Sequence, residues 1–194
     1  MDYAQLAIAL CMGISLSAAC GFRVFAPLLA VALAARFTGL SVQGALGWVS
    51  TDAALVCLAS ATVVEMLAYY IPLVDHALDA IATPLSLLAG AIITCGLLPE
   101  MPEYARWGLG IVAGAGAAGA VQLSTATLRA LSTATTGTLA NPIFSTLENI
   151  LSVIGAVLAI VLPCIAALCV LLLVWLVYRC TKRLRRRRVA HSTH

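Results

Sequence analysis

Residues 163–188 read PCIAALCVLLLVWLVYRCTKRLRRRR. No side chain from Cys164 to Tyr178 is charged, and Arg179, Lys182, Arg183 and Arg185–Arg188 then follow at once. An apolar helix stopped by a cation cluster is the pattern of a segment leaving a bilayer, with the run in hydrocarbon and the cations among headgroups. The cluster places the C-terminus in the cytoplasm by the positive-inside rule and predicts contact between Arg179–Arg188 and anionic lipid headgroups. That reading explains the tail better than nucleic acid does, and no nucleic-acid partner is expected.

The rest of the chain extends this pattern. Of its 194 residues 62% are hydrophobic and 10% charged, with a mean hydropathy of +1.05, whereas soluble domains are roughly half apolar and about a quarter charged. A water-soluble monomer is excluded. The net charge of +3 misleads, because seven of the eleven basic residues lie in the last sixteen positions. Upstream, residues 1–178 carry four arginines against eight carboxylates.

A hydrocarbon core about 30 Å thick takes about 20 residues per helix, so 178 residues hold at most about seven crossings. Residues 142–178 exceed one span, and Pro163 divides them into segments near 143–162 and 164–181. Tyr3 to Phe37 is also too long for one helix and is predicted to break at Gly21-Phe22-Arg23 with Pro27, giving segments near 4–20 and 23–37. A glycine-punctuated connection at 39–50 leads to a span over Thr51–Ile71. Another follows near Ala77–Leu98, with Asp75 as its expected cap, and ends at the loop Pro99-Glu100-Met101-Pro102-Glu103. Residues 105–138 begin with glycines at 108, 110, 114, 116 and 119, a small-residue face for close helix approach, and continue into Ser and Thr. The predicted fold is all-α: a polytopic transmembrane helical bundle of six or seven membrane segments, including broken or half helices. Residues 1–181 form the membrane domain and 182–194 a basic cytoplasmic tail. A weak internal echo, Pro72 before Leu78-Asp79-Ala80-Ile81 and Pro142 before Leu147-Glu148-Asn149-Ile150, would fit a duplicated half of the transporter kind.

The seven cysteines are odd in number, lack a CxxC pair and mostly sit in apolar runs, so neither a disulfide framework nor a thiolate metal site is expected. The segment ending Ser17-Ala18-Ala19-Cys20 lacks a preceding Lys or Arg and reads as a retained membrane segment, not a signal peptide. Gly114-Ala-Gly116-Ala-Ala-Gly119 matches GxGxxG but has no βαβ context, so no dinucleotide cofactor is expected. His76 is the one histidine outside the tail. No catalytic nucleophile, metal set or cofactor motif is found, and an enzyme is not expected.

Three polar groups remain. Glu65 lies in the second half of its span, and Asp75, His76 and Asp79 share one face at the start of the next. Together they can bind a cation or relay protons, or merely cap a helix among headgroups. Gln122, Thr125, Arg129, Ser132 or Thr133 and Thr136 form a polar stripe, followed by Asn141-Pro142 and by Ser145, Glu148 and Asn149 at helical spacing. Arg129 and Glu148 suggest an ion pair, which either lines a hydrophilic path or bonds helices together. Arg23 with Gly21 and Pro27 marks a broken helix, a common feature of transporter binding sites, or an Arg reaching for headgroups.

Taken together, 13–27 (GISLSAACGFRVFAP), 75–84 (DHALDAIATP), and Arg129-Ala-Leu-Ser-Thr with Thr136-Gly137 and Asn141-Pro142-x-x-Ser145-x-x-Glu148 resemble the bacterial membrane-protein family termed domain of unknown function 4126, over about residues 5–165. The resemblance implies a multi-pass protein of the bacterial inner membrane and assigns no activity. The leading expectation is a transporter or channel for a small solute or ion, with a polar site built from Arg23, Glu65, Asp75, His76, Asp79, Arg129, Asn141 and Glu148. Its expected partners are the lipid bilayer and further copies of itself. The rival is a non-transporting membrane scaffold that binds lipids or a partner and whose polar groups are interhelical bonds.

Overall fold

Helix is the only regular structure among the residues described by the computed structural model, 3–136 and 141–191. Their side chains are described except at 72–77, 130–136, 141, 177, 178 and 180–191. The order is α1 (Tyr3–Cys20), α2 (Phe25–Phe37), a 3-10 segment (Gly44–Ser50), α3 (Asp52–Ala68), α4 (Pro72–Leu97), α5 (Glu103–Leu109), a wide π turn (Gly110–Ala115), α6 (Gly116–Thr136), α7 (Asn141–Val161) and α8 (Pro163–His191).

The predicted break in the first apolar stretch is present. The last turn of α1 tightens as the amides of Gly21 and Phe22 bond the carbonyls of Ala18 and Ala19, at 3.0 and 3.1 Å. Gly21 is required by a close approach: a Cβ there would stand 2.5 Å from the carbonyl oxygen of Ala118 on α6. Pro27 falls in the first turn of α2, where a missing N–H costs nothing because that donor has no partner inside the helix. The chain then doubles back. Gly13 on α1 packs on Thr94 of α4, and beyond the break the amide of Gln43 bonds the carbonyl of Gly96, again at the far end of α4, at 2.9 Å. α1 and α2 thus form a helical hairpin with Arg23 at its tip. Seven residues of helix, 14–20, separate Gly13 from the break, so the tip with Arg23 lies roughly 10 Å down the bundle from Gly13 at 1.5 Å per residue.

Small residues allow the helices to pack this closely. Gly90 of α4 faces Gly114 and Ala118, and Gly110 faces Ala91 and Cys95, so the glycine run is a packing face for α4. Ser17 of α1 donates to the carbonyl oxygen of Gly90 at 2.8 Å and pairs with Thr94 at 2.9 Å. The apolar core runs through Leu16, Val31, Leu46, Val49 and Ile93, while Val56, Val63, Ile143, Val157, Leu168 and Leu171 point outward. Such a surface is compatible with a place in hydrocarbon.

Among the described residues, four helices are long and apolar enough to cross a membrane: Tyr3–Cys20, Leu78–Leu97, Glu103–Arg129 and Pro142–Val161. The pair Gly44–Ser50 and Asp52–Ala68, bent by 85°, makes a fifth if taken as one broken span, and Phe25–Phe37 and Pro163–Leu176 are shorter apolar helices. One expectation is corrected. α4 starts at Pro72, with Ile71 as its cap residue, so Asp75 lies inside the helix instead of capping it. Proline favours the first helical position because its φ is already helical.

Candidate functional site

The site forms where the hairpin tip meets α3, α4, α6 and α7. The break leaves Val24 and Phe25 at the start of α2 with amides that no helical carbonyl can accept. Glu65 of α3 supplies the acceptors: the Val24 amide donates to Oε1 at 2.8 Å and the Phe25 amide to Oε2 at 3.0 Å. A buried carboxylate at a helix N-terminus is favoured by the helix dipole as well as by these bonds. Glu65 is therefore a cap for α2, reaching it from 40 residues away in sequence.

Arg23 turns inward. It is 1% exposed, its Nη1 donates to Glu148 Oε2 at 3.1 Å and to the Phe22 carbonyl at 3.0 Å, and its Nε donates to Asn149 Oδ1 at 2.5 Å. Its Nη2 reaches the carbonyl of Ser145 at 3.4 Å. The expected pair of Arg129 and Glu148 also forms, as a two-pronged contact: Nε donates to Oε1 at 3.0 Å and Nη2 to Oε2. The remaining prong of Arg129, Nη1, donates to Asp79 Oδ1 at 3.0 Å. Among the described side chains Glu148 is thus held by two guanidiniums, one from the hairpin tip and one from α6, and Arg129 by two carboxylates. The two acids at echoing places after Pro72 and Pro142, Asp79 and Glu148, converge on this one arginine.

Tyr69, at the end of α3, completes the cluster. Its ring packs 3.7 Å from the Arg23 guanidinium and 4.6 Å from that of Arg129, so two cations share one aromatic ring and the repulsion between them is partly offset. Its backbone carbonyl accepts from Ser145 Oγ at 3.3 Å, and Ser152 Oγ donates to the Ala19 carbonyl at 3.2 Å at the end of α1. The network is nearly dry. Arg129 and Glu148 side chains are 6% and 7% exposed, and Asp79, the most open member, is 26% exposed.

Five of the eight predicted site residues, Arg23, Glu65, Asp79, Arg129 and Glu148, come together here. Asp75, His76 and Asn141 have side chains outside the described residues, as do Ser132, Thr133 and Thr136 of the polar stripe. Tyr69, Asn149 and Ser152 complete the site. Asn149 belongs to the polar run already read with Ser145 and Glu148, Ser152 extends that run by one turn along α7, and Tyr69 follows Glu65 by one helical turn.

Among the described residues, clefts with mainly apolar walls flank the bundle. One of about 170 Å³ lies between α1, α6, α7 and α8, and one of about 270 Å³ between α2 and α7. A third, also about 270 Å³, opens between α3 and α4 and reaches the network at Glu65 and Tyr69. Among the described residues no three His, Cys, Asp or Glu side chains gather to hold a metal ion. At the C-terminal end, the guanidinium of Arg179 stacks 5.0 Å from the ring of Trp175, the cation–aromatic pairing suited to a headgroup boundary.

No curated protein and no solved structure matches the chain. The model of one family does: it matches residues 10–183, which takes in most of the hairpin, the whole network and, beyond the extent read from the motifs, most of α8 with the start of the basic run. The chain belongs to that family, the domain of unknown function DUF4126.

Proposed function

We propose that the protein is a small membrane transporter or channel whose solute site and closed gate are one and the same, the network Arg23–Glu148–Arg129–Asp79. The observation that carries this reading is the sharing of Glu148 by two buried arginines at the tip of a broken helix. Buried ion networks are a poor way to hold helices together: apolar replacements of similar volume are often as stable or more so. Charges kept at membrane depth therefore favour a role in moving or recognising something polar. A helix interrupted at depth, with its open amides turned to a carboxylate, is a recurrent device of transporter sites.

In this reading the membrane segments number seven: α1, α2, α3, α4, α5 with α6, α7 and α8, with α1 and α2 entering and leaving on the same side. The end carrying Arg36, Arg106, Asp52, Glu100 and Glu103 faces away from the cytoplasm, and the end from which Arg179 and the basic run emerge faces it. The compartment is the bacterial inner membrane, and the basic run rests on anionic lipid. The scaffold reading keeps one observation in its favour, since the network's members bond each other and the flanking clefts are apolar-walled.

Flux separates the two. Purified protein in liposomes should pass protons or small ions, and Asp79→Asn and Arg129→Ala should each reduce that flux at least roughly tenfold. Absence of flux in the wild type, with both variants losing only thermal stability in detergent, would establish the scaffold reading instead.

A further inference from the structure

Two of the seven cysteines, far apart in sequence, meet in space. The thiol of Cys11 on α1 lies within hydrogen-bonding reach of the thiol of Cys164, in the first turn of α8. The surrounding packing places the two helices in the same way. Ser15, one turn beyond Cys11, and Ala166, two residues beyond Cys164, line one cleft, and the Ser15 hydroxyl donates to the Cys11 carbonyl at 2.7 Å. α1 is backed there by α4, through Gly13 against Thr94. Both thiols are free, Cys164 exposed and Cys11 half-buried, and neither belongs to the ion network. Such a pair escapes a reading of spacing, because a CxxC motif reports only cysteines that are neighbours in sequence.

The geometry points to Cys11 and Cys164 as a disulfide site that ties α1 to α8, with a protein disulfide as its oxidant. Exposure sets the order of events. The Cys164 thiolate attacks one sulfur of the oxidant's disulfide and expels the other as a thiolate, giving a mixed disulfide. The Cys11 thiolate then attacks Cys164 Sγ, the intermolecular S–S bond breaks, and the oxidant leaves as a dithiol. Two electrons and two protons pass from the cysteine pair to the oxidant. The position of the pair favours this chemistry. The turn before Cys164 follows Ile160 and Val161, which line a cleft with Phe37 and Thr38 at the end of α2, where Arg36 pairs with Asp52. The transport reading turns that end away from the cytoplasm, toward a compartment in which disulfides form and persist. The inference rests on that orientation and is independent of flux.

The test uses the full chain in growing cells, quenched with acid and alkylated with N-ethylmaleimide before purification and digestion. Mass spectrometry of the wild type should find the peptides of Cys11 and Cys164 joined in most chains and separated by dithiothreitol. Cys164→Ser should lose the joined pair. Both cysteines alkylated in most wild-type chains, or Cys164 joined to Cys57 or Cys169 as often as to Cys11, overturns the inference. Orientation is read separately in Cys11→Ser, which leaves Cys164 without its partner. A membrane-impermeant maleimide added to spheroplasts should label Cys164 in that variant. Labelling from outside with no joined peptide in the wild type removes the disulfide and leaves the orientation standing. Labelling only in inverted vesicles removes the orientation, and joined peptides in the wild type would still establish the disulfide.

Discussion

Individual side chains divide the labour at the hairpin tip, and substitution can separate their roles. Glu65 serves two backbone amides, so Glu65→Ala strands both; a buried donor without a partner costs about 1–3 kcal/mol. Glu65→Gln, which retains one carbonyl oxygen, should lose less than the alanine variant. At Tyr69 the ring matters, because both arginines stack on it. Tyr69→Phe should therefore stay near wild type, while Tyr69→Leu, which loses two cation–π contacts at about 0.5–2 kcal/mol each, should be clearly weaker. Unfolding followed by circular dichroism in mixed detergent micelles reads all four variants. Charge is what made this site legible: with four arginines and eight carboxylates over 178 residues, each buried ion stands out against the apolar background, and the Arg129–Glu148 pair follows from sign and helical spacing. Tyr69 escapes that logic, since an aromatic at the end of a span reads as an interfacial anchor. The duty of Glu65 is also hidden, because it caps a helix 40 residues upstream, and no local pattern encodes a cap supplied from another helix.

At the scale of elements, the breaks were readable and the direction of travel was not. Gly21 and Pro27 announce that the first apolar stretch cannot be one straight helix, but whether the next piece continues across or turns back depends on the long-range contacts of Gly13 and Gln43 with the two final turns of α4. The start of α4 shows the same limit. Pro72 initiates the helix, whereas residue type alone favours the polar Asp75 as its cap. The glycines of α4 and α6 yield a sharper expectation, because their surroundings differ. A Cβ at Gly90 would lie 2.8 Å from the Gly114 carbonyl oxygen and 2.9 Å from Ala118 Cβ, whereas one at Gly116 meets nothing within 4 Å. Gly90→Val should thus push α4 from α6 and lose about 1–3 kcal/mol or more, as overpacked cores do. Gly116→Ala should be neutral or stabilising by up to about 1 kcal/mol. The same unfolding assay, run on the pair, checks the helix packing independently of the polar site.

For the whole molecule, the separation of charge into a basic tail and a sparse acidic body becomes a spatial arrangement. The helix that leads into the tail leaves from one end of the bundle, and four buried ions of the body, with the half-buried Asp79, gather beside the tip of a hairpin whose two ends lie at the other. Between them, apolar surface faces outward on α3, α7 and α8. Such a molecule keeps its charges where charge is expensive, and the proposed transport role gives a reason for that placement. The most direct test removes the four bonded charges together: Arg23→Met, Arg129→Met, Asp79→Leu and Glu148→Leu in one chain, reconstituted in liposomes beside the wild type. Because well-packed apolar replacements of a buried ion network are often neutral or stabilising by about 1–4 kcal/mol, the quadruple variant should fold with wild-type or higher thermal stability and pass no measurable ion flux above protein-free liposomes. A folded quadruple variant whose flux equals that of the wild type would contradict the account.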